Sequence, residues 1–178
     1  MEKALAICFW ELRDTPLYGV AAVLSSPAYI LLSSALFILS ALQLKRRFVP
    51  FLIAVLISVS LSDLLCYRVL KPAIGRMRPK SVFIAEELSS PKRKDYSMPS
   101  NHAANIFAFF TVYAMYRRRY RVLCLLNSLL IASSRVVLVK HYPTDVLAGI
   151  LVGAAIGLSV VLITKKIEAV RGNRPPPS

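Results

Sequence analysis

The chain has 178 residues, 56% of them hydrophobic, with a mean hydropathy of +0.57. A soluble domain of this length is rarely so apolar, so the composition argues for an integral membrane protein in one compact bundle with no second domain. The formal net charge of +14 calls for anionic partners; nucleic acid fits poorly beside several membrane spans, whereas lipid headgroups and phosphorylated substrates fit well. In residues 1–16, Glu2, Lys3, Glu11, Arg13 and Asp14 surround Leu5, Ile7, Phe9, Trp10 and Leu12. That pattern predicts an amphipathic helix in the membrane interface, anchored by Trp10. A cleaved signal peptide fits less well, because its basic stretch is weak and acids follow the apolar part directly.

Apolar runs then predict about five spanning helices. Residues 18–44 form the first, with a kink expected at Pro27, and Lys45-Arg46-Arg47 end it. Residues 48–70 form the second, carrying Asp63 and Arg68 in its last third. A polar segment, 71–100, precedes a short third span, 101–116, whose apolar part starts at Ala103. The basic turn Arg117-Arg118-Arg119-Tyr120-Arg121 leads into spans 122–139 and 144–164. On the last of these Gly149, Gly153 and Gly157 recur every fourth residue, a spacing that permits close helix packing. Residues 165–178 are basic, end in three prolines, and are expected to be a disordered tail. Cys8, Cys66 and Cys124 all lie in apolar stretches with no paired spacing, so no disulfide or zinc site is expected.

The short basic turns fall on one side of such a bundle, which the positive-inside rule makes cytoplasmic. The N-terminal helix, the 71–100 segment and the turn at 140–143 then share the opposite face. Lys71, Arg76, Arg78, Lys80, Lys92, Arg93 and Lys94 violate the rule there, and an anionic substrate gives them a reason.

Three clusters lie on that face: Lys71 with Arg78-Pro79, then Pro99-Ser100-Asn101-His102, then Ser134-Arg135 with His141 and Asp145. Arg135 offers a planar fork for phosphate oxygens. His141 can act as nucleophile or proton carrier, with Asp145 fixing its tautomer. Charges at the ends of apolar runs are costly unless they face a polar site. In order and spacing the clusters resemble the signature of the type-2 phosphatidic acid phosphatase family, K-x6-R-P, P-S-G-H and S-R-x5-H-x3-D. Asn101 stands where that family usually has glycine; asparagine tolerates the same backbone and adds an amide. Most members of that family have six spans, so a five-span variant is implied here.

The resemblance implies a membrane lipid phosphatase working through a phosphohistidine. His141 would attack phosphorus, Asp145 would orient it, and His102 would protonate the leaving oxygen. Lys71, Arg78 and Arg135 would neutralise the phosphoryl oxygens, aided by Ser100, Asn101 and the backbone N–H groups opening the third span. No metal or other cofactor is expected. The implied setting is a bacterial inner membrane with the site facing the periplasm. The implied substrate is lipid A 1-phosphate, with undecaprenyl pyrophosphate or phosphatidylglycerophosphate as alternatives. A lipid phosphotransferase on the same fold, or a non-catalytic lipid-binding or transport protein, are the competing readings. Partners are the phosphorylated lipid and membrane lipids, with no nucleic acid; the sequence leaves the oligomeric state open. Arg76, Lys80, Lys92, Arg93 and Lys94 read as a solvated or headgroup-binding surface outside the site. Asp63 reads as paired with Arg68 or with a neighbouring helix.

Overall fold

The computed structural model describes residues 2–79 and 95–172. Prolines and capping residues set its first helix starts. Helix α1 (Glu2–Glu11) is followed by α2 (Pro16–Leu24) and α3 (Pro27–Ala41), both opening on proline. Proline is tolerated there because its missing N–H would have no helical partner in the first turn. The Ser26 side chain caps α3, accepting from the Tyr29 N–H at 3.2 Å. The run 18–44, expected as one kinked span, is therefore divided at Ser25-Ser26: Pro27 starts a helix rather than bending one.

Lys45, with φ 51, breaks the chain between α3 and α4 (Phe48–Leu64). Leu65–Leu70 continue as a π-helix into α5 (Lys71–Ile74), which ends at Gly75 in the left-handed region, φ 65. A glycine is the usual residue for that C-terminal position. After the polar segment come α6 (Asn101–Tyr116), α7 (Arg121–Val137) and α8 (Pro143–Gly172). Helix α8 continues beyond Thr164, where the sequence reading ended the span, because Lys165, Lys166, Glu168 and Ala169 favour helix and no breaker intervenes. The remaining tail, 173–178, lies outside the described residues, as do Lys80, Lys92, Arg93 and Lys94.

Helix α6 is the centre of the bundle, packed by α8, α4 and α7. Its Ile106, Phe109, Val112 and Tyr113 meet Phe51, Ala54, Ile131 and Val161 in one buried core. Tyr113 is fully buried, with Phe37 edge-on at 5.1 Å and its hydroxyl 2.8 Å from Ser40 Oγ. The stripe on α8 works as its spacing suggested. A Cβ at Gly149 would lie 2.5 Å from the Ser100 carbonyl oxygen, one at Gly153 would collide with the Ala104 carbonyl, and one at Gly157 would lie 2.8 Å from that of Ala108. Glycine lets the two backbones approach until they touch.

The flanks of the helices are apolar, while several ionisable side chains are buried between them. Leu31, Leu36, Val49, Leu56, Leu151 and Ile163 are exposed, while Lys71, Arg135, His141 and Asp145 are buried. Such a large apolar exterior requires a hydrocarbon solvent. Three helical stretches among the described residues are long and apolar enough to cross a membrane: Pro27–Ile74, broken at Lys45, then Arg118–Val137 and Pro143–Val170. Helix α6, at 16 residues, is about 24 Å long and buried between them. The fold is an all-α integral membrane bundle. Among the described residues the single extended pairing is the isolated bridge Met77–Tyr96.

Candidate active site

The described ends of the polar segment close on each other. The Ser97 N–H donates to the Arg76 carbonyl at 2.7 Å, and the Arg78 N–H to that of Asp95 at 3.2 Å. This pairing fixes the strand-like piece that carries Arg78. Lys71 leaves the π-helical run and donates through Nζ to the carbonyls of Tyr96 at 2.8 Å and Ser97 at 3.2 Å. Arg78 reaches across to the Lys140 carbonyl at 3.3 Å. One loop thereby delivers two cations to one place.

The facing wall is the turn between α7 and α8. Arg135, in the last turn of α7, donates to Ser25 Oγ, and its Nε has no partner among the described residues. The N–H groups of Lys140 and His141 both donate to the Arg135 carbonyl, at 3.1 and 3.2 Å. That tight return, with Val139 at φ 52, brings His141 back over Arg135. Asp145 begins α8 one helical turn on. Its Oδ2 accepts the Tyr142 N–H at 2.9 Å and lies 3.7 Å from His141 Nδ1. The imidazole and carboxylate face each other at a separation slightly too long for a closed hydrogen bond, which is common in unliganded sites. His141 is almost wholly buried, and that burial, with Arg78, Lys71 and Arg135 adding repulsion, outweighs Asp145 and pushes its pKa down to about 4. The ring is neutral at physiological pH.

The glycine stripe sets the third wall. By seating α6 against α8 it places Ser100, whose N–H donates to the Asp145 carbonyl at 2.9 Å. Ser100 Oγ is buried without a partner among the described residues. His102 follows in the first turn of α6. Lys71, Arg78, Asn101, His102, Arg135 and His141 then line one cavity of about 310 Å³, joined by Asp63, Tyr67 and Asn105. Helix α6 points its N-terminal N–H groups toward this end, where a helix favours anions. A second cavity of about 560 Å³ shares His102 and Asn105 and continues between α3, α4 and α6, lined by Ile30, Leu31, Val55 and Leu56 among others.

A family model described as the PAP2 superfamily matches residues 47–169, which hold all three clusters. The chain belongs to the PAP2 superfamily. Among characterised PAP2 proteins and their kin, it is 34% identical over 99 residues to the lipid A 1-phosphatase of Rhizobium johnstonii, covering 53% of this chain and 40% of that one. It is 27% identical over 129 residues to the lipid A 4′-phosphatase of Bacteroides thetaiotaomicron, covering 67% of this chain and 56% of that one. The chain thus spans about half the length of the curated relatives it matches. A crystal structure of a transmembrane PAP2-type phosphatidylglycerolphosphate phosphatase from Bacillus subtilis superposes with a TM-score of 0.67 at 20% identity, over 93% of this chain and 85% of that one. That likeness is one of fold.

Some contacts around the site escaped the sequence reading. Arg76, assigned to a headgroup surface, instead donates to Asp145 Oδ1 at 3.0 Å and Thr144 Oγ1 at 2.7 Å. Its other nitrogen donates to Glu2 Oε2 at 2.7 Å, and its guanidinium stacks 4.0 Å from the Tyr142 ring centroid. Glu2 Oε1 accepts the Thr144 N–H at 3.2 Å, so α1 caps the helix that carries Asp145. Burial pushes the Glu2 pKa up, but the hydrogen bonds from Arg76 and Thr144 prevail and hold it below the ordinary carboxylate value. Asp63 takes the helix-partner option rather than Arg68: its Oδ1 accepts from Asn101 Nδ2 at 2.9 Å and Asn105 Nδ2 at 3.0 Å. The amide at the family's glycine position therefore ties α6 to α4. An intramembrane aspartate and an asparagine every fourth residue, 101 and 105, were the available signal.

Proposed function

We propose that the protein is a metal-independent membrane lipid phosphatase that works through a phosphohistidine. The observation that carries this reading is the small cavity lined by two histidines and three cations, beside the apolar groove with which it shares His102 and Asn105. A ligand that fills both carries a phosphate and a hydrocarbon chain.

In the proposed reaction, Asp145 faces Nδ1 of His141 and holds the proton there, leaving the Nε2 lone pair for phosphorus. As the N–P bond forms, the P–O bond to the lipid breaks, and His102 gives its proton to the departing oxygen. His102 then takes a proton from water as that water's oxygen attacks phosphorus. The N–P bond breaks, inorganic phosphate leaves and His141 is restored. Lys71, Arg78 and Arg135 hold the equatorial oxygens, where charge concentrates in the transition state. Ser100 Oγ offers a further hydrogen bond. Among the described residues Asp63 is the one carboxylate lining the cavity, a poor donor set for Mg²⁺.

Lipid A 1-phosphate is the favoured substrate, supported by the name of the Rhizobium relative, while the Bacteroides relative is named for the 4′-phosphate of the same lipid; undecaprenyl pyrophosphate and phosphatidylglycerophosphate share the same chemistry. We place the protein in a bacterial inner membrane as one domain of about five spans, its site facing the periplasm. The test is phosphate release by purified protein from a panel of these lipids, with chelator and with an acceptor lipid present. Release unaffected by EDTA supports the reading. Loss on chelation restored by Mg²⁺ overturns the metal-free mechanism, transfer to the acceptor lipid makes the protein a phosphotransferase, and binding without turnover makes it a lipid-binding protein.

A further inference from the structure

We propose that Arg76 is a positioning residue for His141 and that Glu2, on the N-terminal helix, governs how it acts. The proposal rests on the reading of His141 as nucleophile. Arg76 does not line the catalytic cavity; it approaches Asp145 from behind. One carboxylate oxygen, Oδ1, receives Arg76, while the other, Oδ2, receives the Tyr142 N–H and faces His141 Nδ1. A carboxylate fixed at both oxygens cannot rotate, so the imidazole meets it at one angle. Asp145 is fully buried, whereas the Arg76 side chain is 28% exposed, so the guanidinium is the last link between the buried pair and the surface.

The far side of the guanidinium is held by Glu2, itself 28% exposed. Glu2 thus competes with Asp145 for the charge of Arg76. The arrangement is a chain of alternating sign: Glu2, Arg76, Asp145, His141. Each link weakens or strengthens the next. Full engagement of Arg76 with Asp145 drains the negative field that would stabilise an imidazolium. Glu2 pulls in the other direction. Helix α1 is fastened for this task, with Ala6 buried against Val139 and Tyr142, and Phe9 and Trp10 packed beside them.

Other charges also face the pair. Lys71 and Arg78 come from the polar segment and α5, Arg135 and Lys140 from the end of α7 and its turn, and His102 from α6. All of these persist when Arg76 or Glu2 is changed, so they set the baseline and leave the differences readable.

The chain contains two histidines, which makes a direct test possible. The full chain, labelled with ¹⁵N-histidine in detergent micelles, is titrated by NMR, with His102→Gln assigning the two signals. Arg76→Gln is expected to raise the titration midpoint of His141 by about one unit, because Asp145 acts on it undiluted. Glu2→Gln is expected to lower it by about half a unit, since Arg76 then bears on Asp145 alone. Arg76→Lys should restore the midpoint but not full turnover, because a point charge cannot bridge Asp145, Thr144 and Glu2 together. In phosphate release, Arg76→Gln should lower kcat about tenfold or more with KM little changed, as expected for lost orientation. Midpoints equal in all variants, or moving in the same direction for Arg76→Gln and Glu2→Gln, overturn the proposal. Opposite shifts in a protein that releases no phosphate from any lipid uphold the charge chain and overturn the phosphatase reading instead. If Arg76→Gln fails to fold, Glu2→Gln and Arg76→Lys carry the same comparison.

Discussion

In the proposed mechanism, burial is what prepares His141 to act as the nucleophile. An ordinary imidazole is partly protonated near neutrality, but here removal from water, reinforced by three nearby cations, leaves the ring free to attack. His141→Ala should abolish phosphate release while the protein keeps its helical circular dichroism and elutes as wild type; activity above a trace would show that another group attacks. His102→Ala should be as severe on lipid substrates and milder on an aryl phosphate whose leaving group needs no proton. Burial also links this residue to stability. Its folded pKa, about 4, lies below the ordinary value of 6.5, so its contribution is complete above pH 6.5 and is lost as pH falls toward 4. Melting temperatures of wild type and His141→Gln in detergent, followed across that window, should converge as the pH drops; parallel curves would contradict this. The residues that gather at the candidate site were legible because ionisable side chains are scarce in the apolar runs and these few fall into three compact clusters. Arg76 was not, because its partners lie 69 and 74 positions away, a distance that local spacing does not encode.

At the level of elements, the contact of α6 with α8 connects packing to chemistry. Gly153 admits no Cβ without moving the Ala104 carbonyl, and Ala104 sits two residues beyond His102. Gly153→Ala should therefore cost about 1–3 kcal/mol through overpacking, and should lower kcat by shifting His102 and Ser100 relative to Asp145. Gly19→Ala is the control: nothing lies within 4 Å of its added Cβ, so it should be neutral or stabilising by about 0.5–1 kcal/mol. Equal melting temperatures for the two variants would show that the stripe does not hold the site. The glycine spacing and the apolar runs announced the helices that pack. Three features were hidden: the break at Ser25-Ser26, the π-helical run before Lys71, and the extension of α8. Each depends on a contact made elsewhere, such as that of Ser25 with Arg135, or on propensity that outlasts the apolar run. The Asn101–Asp63–Asn105 bonds likewise became visible only when α4 and α6 met.

Across the whole molecule, the two ends differ in kind. Helices α4 and α7 run toward the candidate site, and α6 and α8 start there and run away in parallel, with Gly149, Gly153 and Gly157 meeting Ser100, Ala104 and Ala108 in turn, so the site cavity and the basic turns occupy opposite ends. At the basic end Arg46, Arg47 and Lys165 line a cavity of about 960 Å³ with Tyr116 and Glu168, and Arg117 donates to Gln43 at 2.8 Å. If that end is cytoplasmic, as short basic turns favour, a cysteine at Glu11 in a background lacking Cys8, Cys66 and Cys124 should react with an impermeant thiol reagent in intact spheroplasts. A cysteine at Arg119 should react only after permeabilisation, and the reverse pattern would turn the site toward the cytoplasm. The apolar groove beside the catalytic cavity carries a different consequence. Its walls include Leu31 and Leu56, both exposed on the outer surface of the bundle, so a lipid's hydrocarbon chain has a way in from the bilayer beside the site. A lipid phosphatase of the proposed kind would work in a two-dimensional solvent and sense the mole fraction of its substrate in the surface, not its molarity in the tube. Adding inert detergent to mixed micelles at constant total substrate should slow turnover in proportion to the dilution of the surface, while a water-soluble aryl phosphate should be hydrolysed at an unchanged rate.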